Sequence, residues 1–285
     1  MAAWLAAWLG TAAAAPARKP VVVATVSDLG AIARAVGAER AVVHVLLPDG
    51  QDPLRATPQP EQVLLLDRAD LLLRVGGLLE QSWLPPLLAA TRNAAVREAL
   101  EVRRLLPEEA GYYPLADPRA APPVARALAE ALGGLDPAGA AGYQRAAAAL
   151  EAELARRQRA WRLQLAPLRM SQVVAHDVSF APFLAWAGVR SDVVLAPRPG
   201  ELPSALRMLQ VLRTLRAGPA PRLVLQHDYD PPQLGRLLRD RGGAQLVVVP
   251  LGARTARGEG YLEGMERLVQ AVAGALAAAQ KEPRR

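Results

Sequence analysis

"YQRAAAALEAELARRQRAWRLQL", Tyr143 to Leu165, reads as one uninterrupted helix, and the rest of the chain is organised around it. Alanine, leucine, glutamate and arginine dominate the stretch, all strong helix formers, and its apolar residues recur at helical spacing. Upstream, Asp136 followed by Pro137 reads as an N-cap and first-turn pair, so the expected helix runs over residues 136–165. About 30 residues at 1.5 Å each make a rod of roughly 45 Å. Short β-branched runs lie on both sides. "VVVATV" (21–26), "AVVHVLL" (41–47) and "DLLLRVG" (70–76) precede it; "SQVVAHD" (171–177), "SDVVLAP" (191–197), "RLVLQHD" (222–228) and "AQLVVVPL" (244–251) follow. Continuous apolar strands spaced by helical segments imply parallel sheets covered on both faces. The expected fold is therefore α/β: two doubly wound lobes with parallel sheets, residues 18–135 and 166–285, joined by one long backbone helix, with a ligand cleft between the lobes.

The composition narrows the function. With 285 residues, 52% of them hydrophobic, the chain is long enough to bury two cores. Its net charge of +7 is scattered, and no basic run interleaves with aromatics, so no nucleic-acid partner is expected. Cysteine is absent, which removes disulfides, thiolate metal sites and cysteine nucleophiles together. The N-terminus "MAAWLAAWLGTAAAAPARKP" has an apolar stretch from Ala2 to Ala15 and a small-residue "APA" before Arg18. This is a signal-peptide pattern, too short to span a bilayer, so residues 1–17 are expected to be removed and the mature protein to be periplasmic.

Ligands of open α/β sheets bind beyond the carboxyl ends of the strands, so the polar residues that end each strand are the candidates. After the second run comes "PDGQDPLRATPQPEQ" (48–62) with Asp49, Gln51 and Asp52; before Asp117 lie Tyr112 and Tyr113. The first strand of the second group ends in His176 and Asp177, the third in Gln226, His227 and Asp228. Each also has a structural reading. His176 with Asp177, or His227 with Asp228, would serve as turn and cap of the following helix, and His44 in mid-strand would simply pack. No G-x-S-x-G, Walker A, complete G-x-G-x-x-G after a strand or H-E-x-x-H occurs, so an enzyme is not expected.

Several of these stretches, in this order, resemble the periplasmic solute-binding proteins of zinc and manganese ABC importers. They are the region from "VVATVSDLG" through "GQDP", "TPQP" and "ADLLLRVGG" with Glu80 and Trp83, then "LADP" (115–118), "AHDVSFAPFLAWAGV" (175–189), "ELPSALRMLQVLR" (201–213) and "YLEGMERLV" (261–269). The resemblance implies an ABC permease as partner, or another periplasmic protein, and a monomer. It also implies four metal-ligand positions. Leu54 occupies the first, the second falls on or beside Tyr113, the third keeps His176, and Val249 occupies the fourth. With only His176 retained as a metal ligand, tight zinc or manganese binding of the family's kind is not expected, because zinc needs three or four donors. Three outcomes follow: a site rebuilt from Asp52, Tyr113, His176 and His227 or Asp228; a cleft for a chelated or non-metal ligand; or an accessory, partner-binding role on the same scaffold.

Overall fold

The computed structural model describes residues 18–108, 110–189, 193–198, 201–217 and 222–281. The expected signal peptide, residues 1–17, lies outside them. The first sheet contains β1 (Val21–Ala24), β2 (Val42–Val45), β3 (Leu71–Arg74) and β4 (Leu100–Glu101), in the order β2-β1-β3-β4, every pair parallel. Four helices join its strands and lead out of it: α1 (Ser27–Gly37), α2 (Pro60–Asp67), α3 (Leu84–Ala90) and α4 (Ala121–Leu135). The long helix α5 (Ala140–Gln164) then leads to β5 (Gln172–Asp177), α6 (Ala181–Trp186), β6 (Val193–Ala196), α7 (Ala205–Ala217), β7 (Arg222–His227), α8 (Pro232–Gly242), β8 (Gln245–Val249) and α9 (Tyr261–Lys281). The second sheet is again parallel, ordered β6-β5-β7-β8. The central strands β1, β3, β5 and β7 are almost wholly buried, which is why they read as unbroken apolar runs.

The long helix is shorter than its sequence pattern suggests. Residues Pro137–Gly139 form a separate 3-10 turn, and the α-helix covers 25 residues, or about 37 Å. Asp136 caps nothing with its side chain, because stronger donors take it. Arg40 gives it two hydrogen bonds, from Nε at 2.9 Å and Nη2 at 3.0 Å, and Tyr143 Oη gives a third at 2.8 Å. A guanidinium and a phenol thus tie the helix start to the first lobe. At its far end Trp161 is buried, donates from Nε1 to Glu266 Oε2 of α9 at 2.6 Å, and meets Trp186 of α6 edge-on. One rigid helix is clamped at both ends, one end to each lobe.

The lobes also meet directly. A single apolar core runs from Leu29 and Tyr113 in the first lobe to Val249, Ala253 and Met265 in the second. The segment after β8 lies against the first lobe through two carboxylates. Asp28 Oδ1 accepts the Ala253 N–H at 2.7 Å; Asp49 accepts the Ala256 N–H at 2.8 Å and the Thr255 hydroxyl at 3.1 Å. Tyr261 adds a bond from its hydroxyl to the Leu115 carbonyl at 2.8 Å. Among the described residues no helix is long and apolar enough to cross a membrane.

Candidate metal centre

In each sheet the strand order reverses direction between two central strands, β1 and β3 in the first lobe, β5 and β7 in the second. Such points leave a crevice at the carboxyl ends of the strands. In the first lobe the crevice is filled from within. Glu80 is buried there, accepts the Thr25 hydroxyl and takes the N–H groups of Val75 and Gly76 at 2.9 and 2.8 Å, so three of its roughly four lone-pair positions are taken. In the second lobe it is lined by unspent donors.

His176 and Asp177 end β5, and Asp230 follows β7 in the turn before α8. One ligand atom from each lies within 4.8 Å of the others. Asp177 reaches this group although it neighbours His176, because the chain bends at once into the 3-10 turn Val178–Phe180, which the Asp177 side chain caps through the Ser179 N–H at 2.9 Å. The Ser179 hydroxyl donates to the same carboxylate oxygen. Asp230 is held by the His227 N–H, 2.8 Å from its Oδ2. His176 is only 5% exposed. Its Nδ1 sits 3.1 Å from Asp230 Oδ2 but off the hydrogen-bonding direction, and neither ring nitrogen has a hydrogen-bond partner among the described residues. Buried imidazoles are ordinarily satisfied, so an unpartnered one between two carboxylates makes His176 a candidate ligand.

These side chains line a cavity of about 100 Å³ between the lobes, together with Leu54, Arg55, Tyr112, Glu201 and Tyr229. Asp52 faces the cluster from the first lobe. Its Oδ1 accepts the Leu54 N–H at 2.9 Å and its Oδ2 lies 3.4 Å from Arg55 Nε. Burial pushes the Asp52 carboxyl above its ordinary range, and the Leu54 N–H and Arg55 pull it back in part.

Of the ligand set expected from sequence, Asp52 and His176 share this cavity; Tyr113, His227 and Asp228 point elsewhere. Tyr113 is buried, and its hydroxyl donates to Asp28 Oδ2 at 2.8 Å. Its neighbour Tyr112 lines the cavity instead. His227 is stacked between Phe180 and Tyr229, with ring centroids 4.2 and 5.1 Å away. Its Nδ1 donates to the Val249 carbonyl at 3.3 Å, and its Nε2 lies 2.6 Å from Ser179 Oγ, whose single proton this nitrogen shares with Asp177. Burial holds this imidazole below its usual pKa and therefore neutral. Asp228 turns outward to Arg254 Nη2 at 3.2 Å. Val249 lines a second cavity of about 30 Å³ behind His227 rather than the one at His176. Sequence reasoning missed Asp230, and weighed Asp177 as a strand-end candidate and helix cap without placing it in the ligand set.

The profile of the family described as "Zinc-uptake complex component A periplasmic", ZnuA, matches residues 22–275. The chain belongs to the ZnuA family. Its members are periplasmic receptors of metal uptake, and solved structures carry the same fold. The Zn(II)-bound ZnuA-like domain of Streptococcus pneumoniae AdcA superposes with a TM-score of 0.71 at 20% identity, over 90% of this chain and 99% of that one. The zinc-binding protein TroA from Treponema pallidum gives 0.75 at 19%, over 90% and 99%. The solute-binding protein FpvC from P. aeruginosa, in complex with Ni2+, gives 0.74 at 19%, over 93% and 100%. No curated protein sequence matches the chain.

Proposed function

We propose that this ZnuA-family protein is an exported receptor for a free metal cation, held by His176, Asp177 and Asp230 with Asp52 facing from the opposite lobe, and passed to an ABC permease. The observation that carries this reading is the buried, unpartnered His176 imidazole beside two carboxylates at the β5–β7 crevice. Donors about 2.1 Å from a tetrahedral ion stand about 3.4 Å apart, so atoms within 4.8 Å of one another need only small side-chain rotations to close on one. A buried carboxylate, Asp230, and a half-buried one, Asp177, repel at this separation, and a cation removes that cost.

The cavity size favours an ion over a chelate. About 100 Å³ holds a cation with a few waters at roughly 30 Å³ each, whereas organic ligands occupy pockets of roughly 300 Å³ or more. The donor set, one imidazole and carboxylate oxygens, favours a harder ion than zinc. Such a site differs from the family pattern while keeping its place in the fold, since Leu54 and Val249 offer no donor.

Calorimetry on the mature protein tests this with Mn²⁺ and Zn²⁺ as probes. One Mn²⁺ per chain is expected, lost in both His176→Ala and Asp230→Ala. Absence of binding by either ion, or binding indifferent to both substitutions, would overturn the reading.

A further inference from the structure

Beside the four ligands above, the cavity has one enclosed polar group without a hydrogen-bond partner among the described residues. The Tyr112 hydroxyl is enclosed and has no hydrogen-bond partner among the described residues, although Tyr112 lines the same cavity as His176, Asp177, Asp230 and Asp52. Buried hydroxyls are ordinarily paired, so a ligand atom is the natural partner. The position is also built. Arg103 donates from Nη2 to the Gly111 carbonyl at 2.6 Å and reaches the Tyr112 carbonyl at 3.4 Å, while its Nε bonds the Gly76 carbonyl at 3.3 Å. Gly111 takes a left-handed φ of +81°, and a Cβ there would meet Pro182 Cγ at 2.8 Å. The backbone at Tyr112 is therefore fixed, and the phenol is carried to the cleft from the first lobe while the imidazole comes from the second.

Resting on the metal-receptor reading, we propose that Tyr112 is a further ligand of the ion and that the cargo it selects is ferric iron, bound through the phenolate oxygen. As the Fe–O bond forms from an oxygen electron pair, the phenol O–H breaks and its proton passes to water; the iron stays ferric throughout. Charge closes as well: Asp52 is answered by Arg55 and Glu201 by Arg198, so Asp177, Asp230 and one phenolate balance three positive charges. Carboxylate, phenolate and imidazole together suit a hard ion.

Ferric citrate added to the mature protein should produce a visible tyrosinate-to-iron charge-transfer band, with about one proton released per chain from the phenol. Tyr112→Phe should abolish both the band and the proton release. Tyr113→Phe, whose hydroxyl is bonded to Asp28, should keep the band. A band that survives Tyr112→Phe, or no band in a protein that binds Mn²⁺, overturns the iron proposal while the metal-receptor reading stands. Failure to bind either ion overturns both.

Discussion

Asp28 lies in the contact between the lobes and is 4% exposed, with Tyr113 Oη and the Ala253 N–H on its two oxygens. Burial raises its pKa from 3.8 to about 6, against the pull of Tyr113, Ala253 and Arg267. Because the folded state holds the proton to a higher pH than the unfolded chain does, stability falls as pH rises between these two values. At about 1.36 kcal/mol per unit the whole cost is about 3 kcal/mol, of which roughly 2.4 kcal/mol falls between about pH 4 and pH 7.5. Asp28→Asn removes the titration and keeps the shape. Measured by urea unfolding at both ends of that range, the stability difference between variant and wild type should move by about 2 kcal/mol in favour of asparagine as pH rises. In thermal melts this is a relative shift of roughly 5 °C, at about 2 °C per kcal/mol for a chain of this size. Other carboxylates, Glu80 and Asp52 among them, cancel in the difference. Parallel curves for the two proteins would refute the reasoning.

Other positions give sharper single outcomes. Gly252 has φ +73° and a Cβ there would touch the Asp28 carboxylate and Ser27 Oγ at 3.0 Å, so Gly252→Ala should cost about 1–2 kcal/mol in urea unfolding. His227 fills a stacked, hydrogen-bonded slot, and His227→Ala should cost roughly 2–3 kcal/mol of stability while weakening Mn²⁺ far less than His176→Ala does. Mass spectrometry of the exported protein should find an N-terminus near Arg18; an intact Met1 on cytoplasmic protein would remove the signal-peptide reading.

The two sheets and the helix between them were legible because buried parallel strands write themselves as apolar runs and an alanine-rich helix needs little context. What blurred was the helix start, since nothing local to Asp136 shows that Arg40, distant in sequence, takes its carboxylate. His176 was reachable from the rule that strand ends meet ligands. Asp230 was not, because it stands three residues beyond β7, before Pro231 and Pro232, and reads as a turn former. The choice between Tyr112 and Tyr113 was closed to sequence for a similar reason. Adjacent residues on non-helical backbone send their side chains apart, and which one meets the cleft depends on Asp28, far away along the chain. The neighbourhood of His176, Asp177 and Asp230 therefore had to be found in space.

The most direct test is elemental analysis of protein purified from the periplasm of cells grown with ordinary trace metals, wild type beside the His176→Ala, Asp230→Ala double variant. One transition-metal ion per chain in the wild type and none in the variant is expected. A metal-free wild type, or a variant that carries as much metal as the wild type, would contradict a receptor built on His176, Asp177 and Asp230.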